Sequence, residues 1–100
     1  MILALEEAGE LPGPVVRLPN RGDCTDATRQ DWDVKRPRDT ERRPRFDVAD
    51  FLEGCIRYEI QCCRENVIVD LTGLVDPAHR QALRDAVDDA GLTAHVRWYE

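Results

Sequence analysis

Asp31-Trp32-Asp33-Val34-Lys35 alternates charged with apolar side chains, and the fold is read outward from that alternation. Successive side chains of a strand point to opposite faces, so Asp31, Asp33 and Lys35 share one face while Trp32 and Val34 share the other. The apolar pair pins the strand to a core, and Trp32 is expected to be buried. Two carboxylates and an ammonium line up on the other side. That face suits an ordinary solvent-facing strand or the edge of a metal-dependent site.

Downstream, Asp47 is placed to cap a helix, with Asp50 in the first turn where the helix dipole favours a carboxylate. Ala49, Leu52, Ile56, Ile60 and Cys63 step by three and four, which predicts one continuous apolar stripe to about Arg64. Val67-Ile68-Val69 is a dense β-branched run, the pattern of a buried central strand with a parallel neighbour. Asp76-Pro77 opens a second helix with a cap and a proline at the first helical position. Leu83, Ala86, Val87 and Ala90 form its apolar face, and Gly91 ends it. Thr93 to Tyr99 reads as the closing strand, with Ala94, Val96 and Trp98 facing one way and His95, Arg97 and Tyr99 the other.

Upstream, Cys24 to Thr28 predicts a strand, joined to the one at 31–36 by a tight turn at Arg29-Gln30. Val15 to Leu18 predicts a short strand closed by the turn-rich Pro19-Asn20-Arg21-Gly22. Pro12-Gly13-Pro14 forces a loop. Ile2 to Gly9 reads as a helix with Leu3, Ala4 and Ala8 on its inner face and Gly9 as its stop. No capping residue precedes it, so it begins abruptly, as in a domain shortened at its N-terminus. The order is α-β-β-β-α-β-α-β. It predicts an α/β three-layer sandwich, a mixed central sheet flanked by helices, as one domain over residues 1–100.

The net charge of −6 speaks against a general polyanion binder, but its distribution does not. Between Lys35 and Arg45 six basic residues face only Asp39 and Glu41, which leaves that segment at +4 and the rest of the chain at −10. A basic Pro/Arg loop over 36–45 on an acidic body points to a polyanionic partner for the loop, with a solvated linker as the alternative. No apolar run approaches a membrane span and no basic-flanked leader opens the chain, so a cytoplasmic protein without a membrane partner is expected. Secretion as part of a longer chain stays open. Cys24, Cys55, Cys62 and Cys63 have neither the spacing of a zinc knuckle nor that of a disulfide framework, and are expected to be structural thiols. The absence of serine excludes a serine nucleophile, and no Gly-rich phosphate loop occurs.

With the acidic residues of the second and third strands in view, the chain resembles the PD-(D/E)xK nucleases, the restriction-endonuclease-like fold. It is similar in particular to nuclease domains at the C-termini of bacterial polymorphic toxins, where a WDVK-like strand precedes a loop, a helix and a run like Glu65-Asn66-Val67-Ile68-Val69-Asp70. In that family one Asp opens the motif, and a (D/E)-x-K triplet follows on the next strand of a hairpin. Thr25-Asp26 matches the first part, with Thr25 in place of the motif's proline, and Asp33-Val34-Lys35 matches the triplet. The resemblance implies Asp26, Asp33 and Lys35 as catalytic residues. It implies Mg²⁺ (or Mn²⁺) held by Asp26, Asp33, the carbonyl of Val34 and Glu7 of the first helix, with Glu6 as a competitor. Asp23 competes with Asp26, and Asp31 with Asp33. Hard cations take such oxygen ligands, and Lys35 would offset charge on the phosphoryl transition state. Arg36, Arg38, Arg42, Arg43 and Arg45 would hold the phosphate backbone.

The function expected on this basis is metal-dependent hydrolysis of phosphodiester bonds in DNA or RNA, with an inhibitor or immunity protein as a further partner. Two alternatives stand beside it. One is a non-catalytic α/β domain of the same fold that binds protein. The other is a metal-independent ribonuclease of toxin type, using Lys35, His95 and Arg97.

Overall fold

Five strands hydrogen-bond in chain order in the computed structural model, which describes residues 1–18, 23–39 and 46–100. β1 (Val16–Leu18), β2 (Asp23–Thr25) and β3 (Asp31–Lys35) form an antiparallel meander, and β4 (Asn66–Asp70) and β5 (Val96–Tyr99) run parallel to β3. Parallel neighbours need long crossovers. The first consists of α2 (Val48–Phe51), a π-wound stretch (Leu52–Arg57) and α3 (Tyr58–Cys62); the second is α4 (Pro77–Asp89). With α1 (Ile2–Glu7) ahead of β1, the order of elements is the one the sequence predicts.

The sheet separates two apolar clusters. On one face Val67, Val69 and Val96 pack against Leu52, Ile56, Leu83 and Val87, so both crossovers cover that side. On the other face Trp32, Cys24 and Ile68 meet Ile2, Leu5 and Leu11, and α1 with the turn after it forms the thinner third layer. Val67, Ile68 and Val69 are all fully buried, which makes β4 the central strand its β-branched run predicts. Trp32 is 2% exposed. No helix among the described residues is long and apolar enough to cross a membrane.

Several local expectations need correction. The inner face of α1 is Ile2 and Leu5, while Leu3 is exposed: the unbroken apolar run Met1–Leu5 allows more than one face, and packing beneath Trp32 selects it. The helix after Asp47 is not uniformly wound. Its middle closes i→i+5 rings, which rotates the stripe, so Leu52 and Ile56 are buried but Ala49 and Cys63 are exposed. None of the four cysteines is in a disulfide, and only Cys24 is a buried filler; Cys55 is half-buried, and Cys62 and Cys63 lie on the surface. The closing strand starts at Val96 because Thr93–His95 forms a 3₁₀ turn.

The join between β2 and β3 also differs. No two-residue turn forms at Arg29-Gln30; instead Asp26 opens a turn in which its N–H donates to the Gln30 carbonyl and Arg29 adopts φ 68°. Residues 36–39, the described part of the loop after β3, are more tied down than a solvated linker, since Pro37 is buried. Asp39 accepts from Val75 N and Asp76 N, each at 2.9 Å, and meets His79 Nδ1 at 2.8 Å.

Candidate active site

Asp33 and Lys35 stand on the same face of β3, as the alternation requires, and look toward α3. Lys35 Nζ lies 2.8 Å from Asp33 Oδ2 and 3.0 Å from Glu59 Oε1, bridging two carboxylates that are 26 positions apart in the sequence. Glu65 completes the group. Its N–H donates to the Glu59 carbonyl as the chain leaves α3, and its carboxylate has an oxygen within 4.8 Å of oxygens of Asp33 and Glu59. The three carboxylates are half-buried.

Burial alone would push the Lys35 ammonium down, but pairing with Asp33 and then with Glu59 outweighs it and raises its pKa above the ordinary lysine value. Lys35 is therefore a fixed cation at physiological pH and no general base. Asp33 Oδ2 is sealed from solvent, and its partner is the Lys35 ammonium at 2.8 Å. The three carboxylates form an oxygen-only donor set of the kind a hard divalent cation such as Mg²⁺ or Mn²⁺ takes, and such an ion would compete there with the Lys35 ammonium. Nearby, partial desolvation and the Glu59 carboxylate push the Cys63 thiol up, the opposite of what activates a thiolate.

The other residues expected at the site are placed elsewhere. Asp26 belongs to the opposite face: it is buried, and its Oδ2 accepts from Trp32 Nε1 at 2.8 Å. Its Oδ1 accepts from Thr28 N, Thr28 Oγ1 and Gln30 N. This carboxylate is spent on the turn and on the tryptophan, and the structure does not bring it to Asp33. Glu7 is exposed on α1, the layer that covers the Trp32 face, and is not part of the acidic group. Glu6 accepts from Val15 N, and Asp31 accepts from Thr25 Oγ1. The side chain of Val34 packs into the Trp32 cluster. Arg36 and Arg38 follow β3 and are exposed, while Arg42, Arg43 and Arg45 lie outside the described residues.

Lys35, His95 and Arg97 are not gathered either. Arg97 lies over the Trp32 ring at 5.3 Å, on the face away from Lys35, and His95 is exposed beside Asn66. Glu59 and Glu65 are the residues sequence reading passed over. A glutamate on a helix's polar side carries no signal of its own, and only the docking of α3 against β3 gives Glu59 a role. No family model matches the chain, and neither does a curated protein or a solved structure.

Proposed function

We propose that this protein is a metal-dependent nuclease whose site is the group Asp33, Glu59 and Glu65 with Lys35, acting on phosphodiester bonds of DNA or RNA. The observation that carries the reading is the Lys35 ammonium seated between Asp33 and Glu59 at 2.8 and 3.0 Å. It marks a place built for positive charge on a strand bearing the Asp-x-Lys triplet after a hairpin. Asp33, Glu59 and Glu65 would hold Mg²⁺ or Mn²⁺, which supplies Lewis-acid polarisation of the phosphate and a more acidic bound water. Glu59 takes the place the sequence resemblance gives to a glutamate of the first helix.

The chain's own residues do the rest. Asp33 is fixed by β3 and Glu59 by α3, so the two carboxylates keep their spacing without reorganisation. Lys35 stays protonated, and its Nζ donates to a non-bridging phosphate oxygen, offsetting the charge that grows as the bond breaks. Arg36 and Arg38, next along the chain, supply further phosphate contacts.

The test is cleavage of single-stranded DNA, duplex DNA and RNA with and without Mg²⁺ or Mn²⁺, by the natural protein, Asp33→Asn and Glu59→Gln. Cleavage that needs the ion and disappears in both folded variants is expected. Ion-independent cleavage, or cleavage unchanged in both variants, would overturn the assignment.

A further inference from the structure

A cavity of about 280 Å³ opens outside the carboxyl ends of β3 and β4, lined by Arg36, Arg38, Asp70, Thr72, Gly73 and Val75. We infer that this cavity binds a phosphate group, held by the guanidinium groups of Arg36 and Arg38.

Charge comes first. Two arginines and one aspartate line the cavity. The aspartate is already engaged: Asp70 Oδ1 accepts from Thr72 N at 3.0 Å and Thr72 Oγ1 at 2.6 Å, and Oδ2 lies 3.6 Å from Arg36 Nε. Asp70 is thus turned by Thr72 so that it steadies one edge of Arg36. A guanidinium has five N–H donors in a planar fork, and two such forks suit the tetrahedral oxygens of a phosphate.

Rigidity is the second argument. A Cβ on Gly73 would lie 2.7 Å from the Pro37 carbonyl oxygen and 3.1 Å from Arg38 Cγ, so the glycine lets the arginine-bearing segment lie directly on the Leu71–Gly73 turn. Asp39, one residue on, is clamped to Val75 N, Asp76 N and His79. Both arginines therefore leave a backbone pinned on each side, which lowers the ordering cost of binding. Size is the third. The volume falls just under the roughly 300–1,000 Å³ of pockets that enclose whole small molecules, so it suits a phosphate with part of its sugar.

The site is distinct from the acidic group, and its link to a nucleic-acid substrate rests on the nuclease reading. The test is a titration of the ¹⁵N-labelled protein with inorganic phosphate, without divalent ions and at constant ionic strength. Saturable amide shifts at Arg36, Arg38, Thr72 and Gly73 are expected. They should weaken at least about tenfold in Arg36→Gln/Arg38→Gln, the loss that charge-assisted bonds of this kind imply. Val75→Glu, an exposed change that places a carboxylate at the mouth, should weaken them similarly, and Asp33→Asn should leave them alone. Non-saturable shifts, or shifts equal in the arginine variant, would overturn the proposal. A 5′-phosphorylated oligonucleotide that binds tighter than its 5′-hydroxyl twin identifies the source as a nucleic-acid end; equal binding identifies a free phosphate ester. Absence of ion-dependent cleavage in the natural protein, with phosphate binding intact, would count against the nuclease reading alone.

Discussion

Trp32 Nε1 donates to Asp26 Oδ2 at 2.8 Å, so the indole that anchors β3 also holds the carboxylate that opens the preceding turn. Burial alone would raise the Asp26 pKa, but hydrogen bonds from Thr28, Trp32 and Gln30 outweigh it and lower it. Burying an ion is costly unless its lone pairs are filled, and here the turn fills them.

Replacing this carboxylate should therefore harm the fold and not the chemistry. Asp26→Ala leaves the Trp32 Nε1 and two backbone N–H groups without their acceptor, an expected loss of about 1–3 kcal/mol in urea unfolding. Because the folded pKa is depressed, the group's contribution is present above the ordinary value of 3.8 and is lost as pH falls through the folded pKa. A natural protein and an Asp26→Asn variant whose stabilities stay equally far apart down to the lowest pH would contradict this.

Trp32 carries the apolar half of the same arrangement. It packs with Cys24, Ile68, Leu5 and Leu11, and Arg97 lies over its ring. Trp32→Ala should cost about 3–5 kcal/mol, the range for large aromatic deletions. Acrylamide quenching should reach Trp98 more readily than Trp32, and the reverse order would place β3 the wrong way round.

Lys35 acts as the counter-ion of the acidic group, and a bound divalent ion must compete with it. Lys35→Met should tighten Mn²⁺ binding by about tenfold, the equivalent of roughly 1.4 kcal/mol, while slowing cleavage. Calorimetric titration of the variant reads the first effect and the cleavage assay the second. Unchanged Mn²⁺ affinity would show that Lys35 and the ion do not share a site.

Asp39 ties the segment after β3 to the start of α4. The backbone N–H of Asp76, the His79 ring and the Val75 N–H hold its carboxyl down to about 2. Its folded pKa is depressed, so its contribution is complete above about 4 and disappears as pH falls toward 2. Melting temperatures of the natural protein and Asp39→Asn should differ at pH 6 and converge near pH 2. A constant difference across that range would rule the clamp out as the cause.

Strand alternation at 31–35, the β-branched run at 67–69 and the Asp76-Pro77 start are local patterns, so the sequence by itself determined the elements and their order. It also determined that Asp33 and Lys35 share a face, because the strand period leaves no choice. The tertiary structure alone decided what meets that face. Asp26 and Asp33 are seven positions apart along one hairpin, yet a turn closed by the Asp26 carboxylate puts them on opposite sides of the sheet. Glu59 is 24 positions beyond Lys35 and meets it only where α3, following the π-wound stretch, docks against β3. Such encounters depend on the winding and packing of elements far apart in the chain. No spacing rule encodes them, which is why the shared face of Asp33 and Lys35 was legible in the sequence and the glutamates that meet it were not.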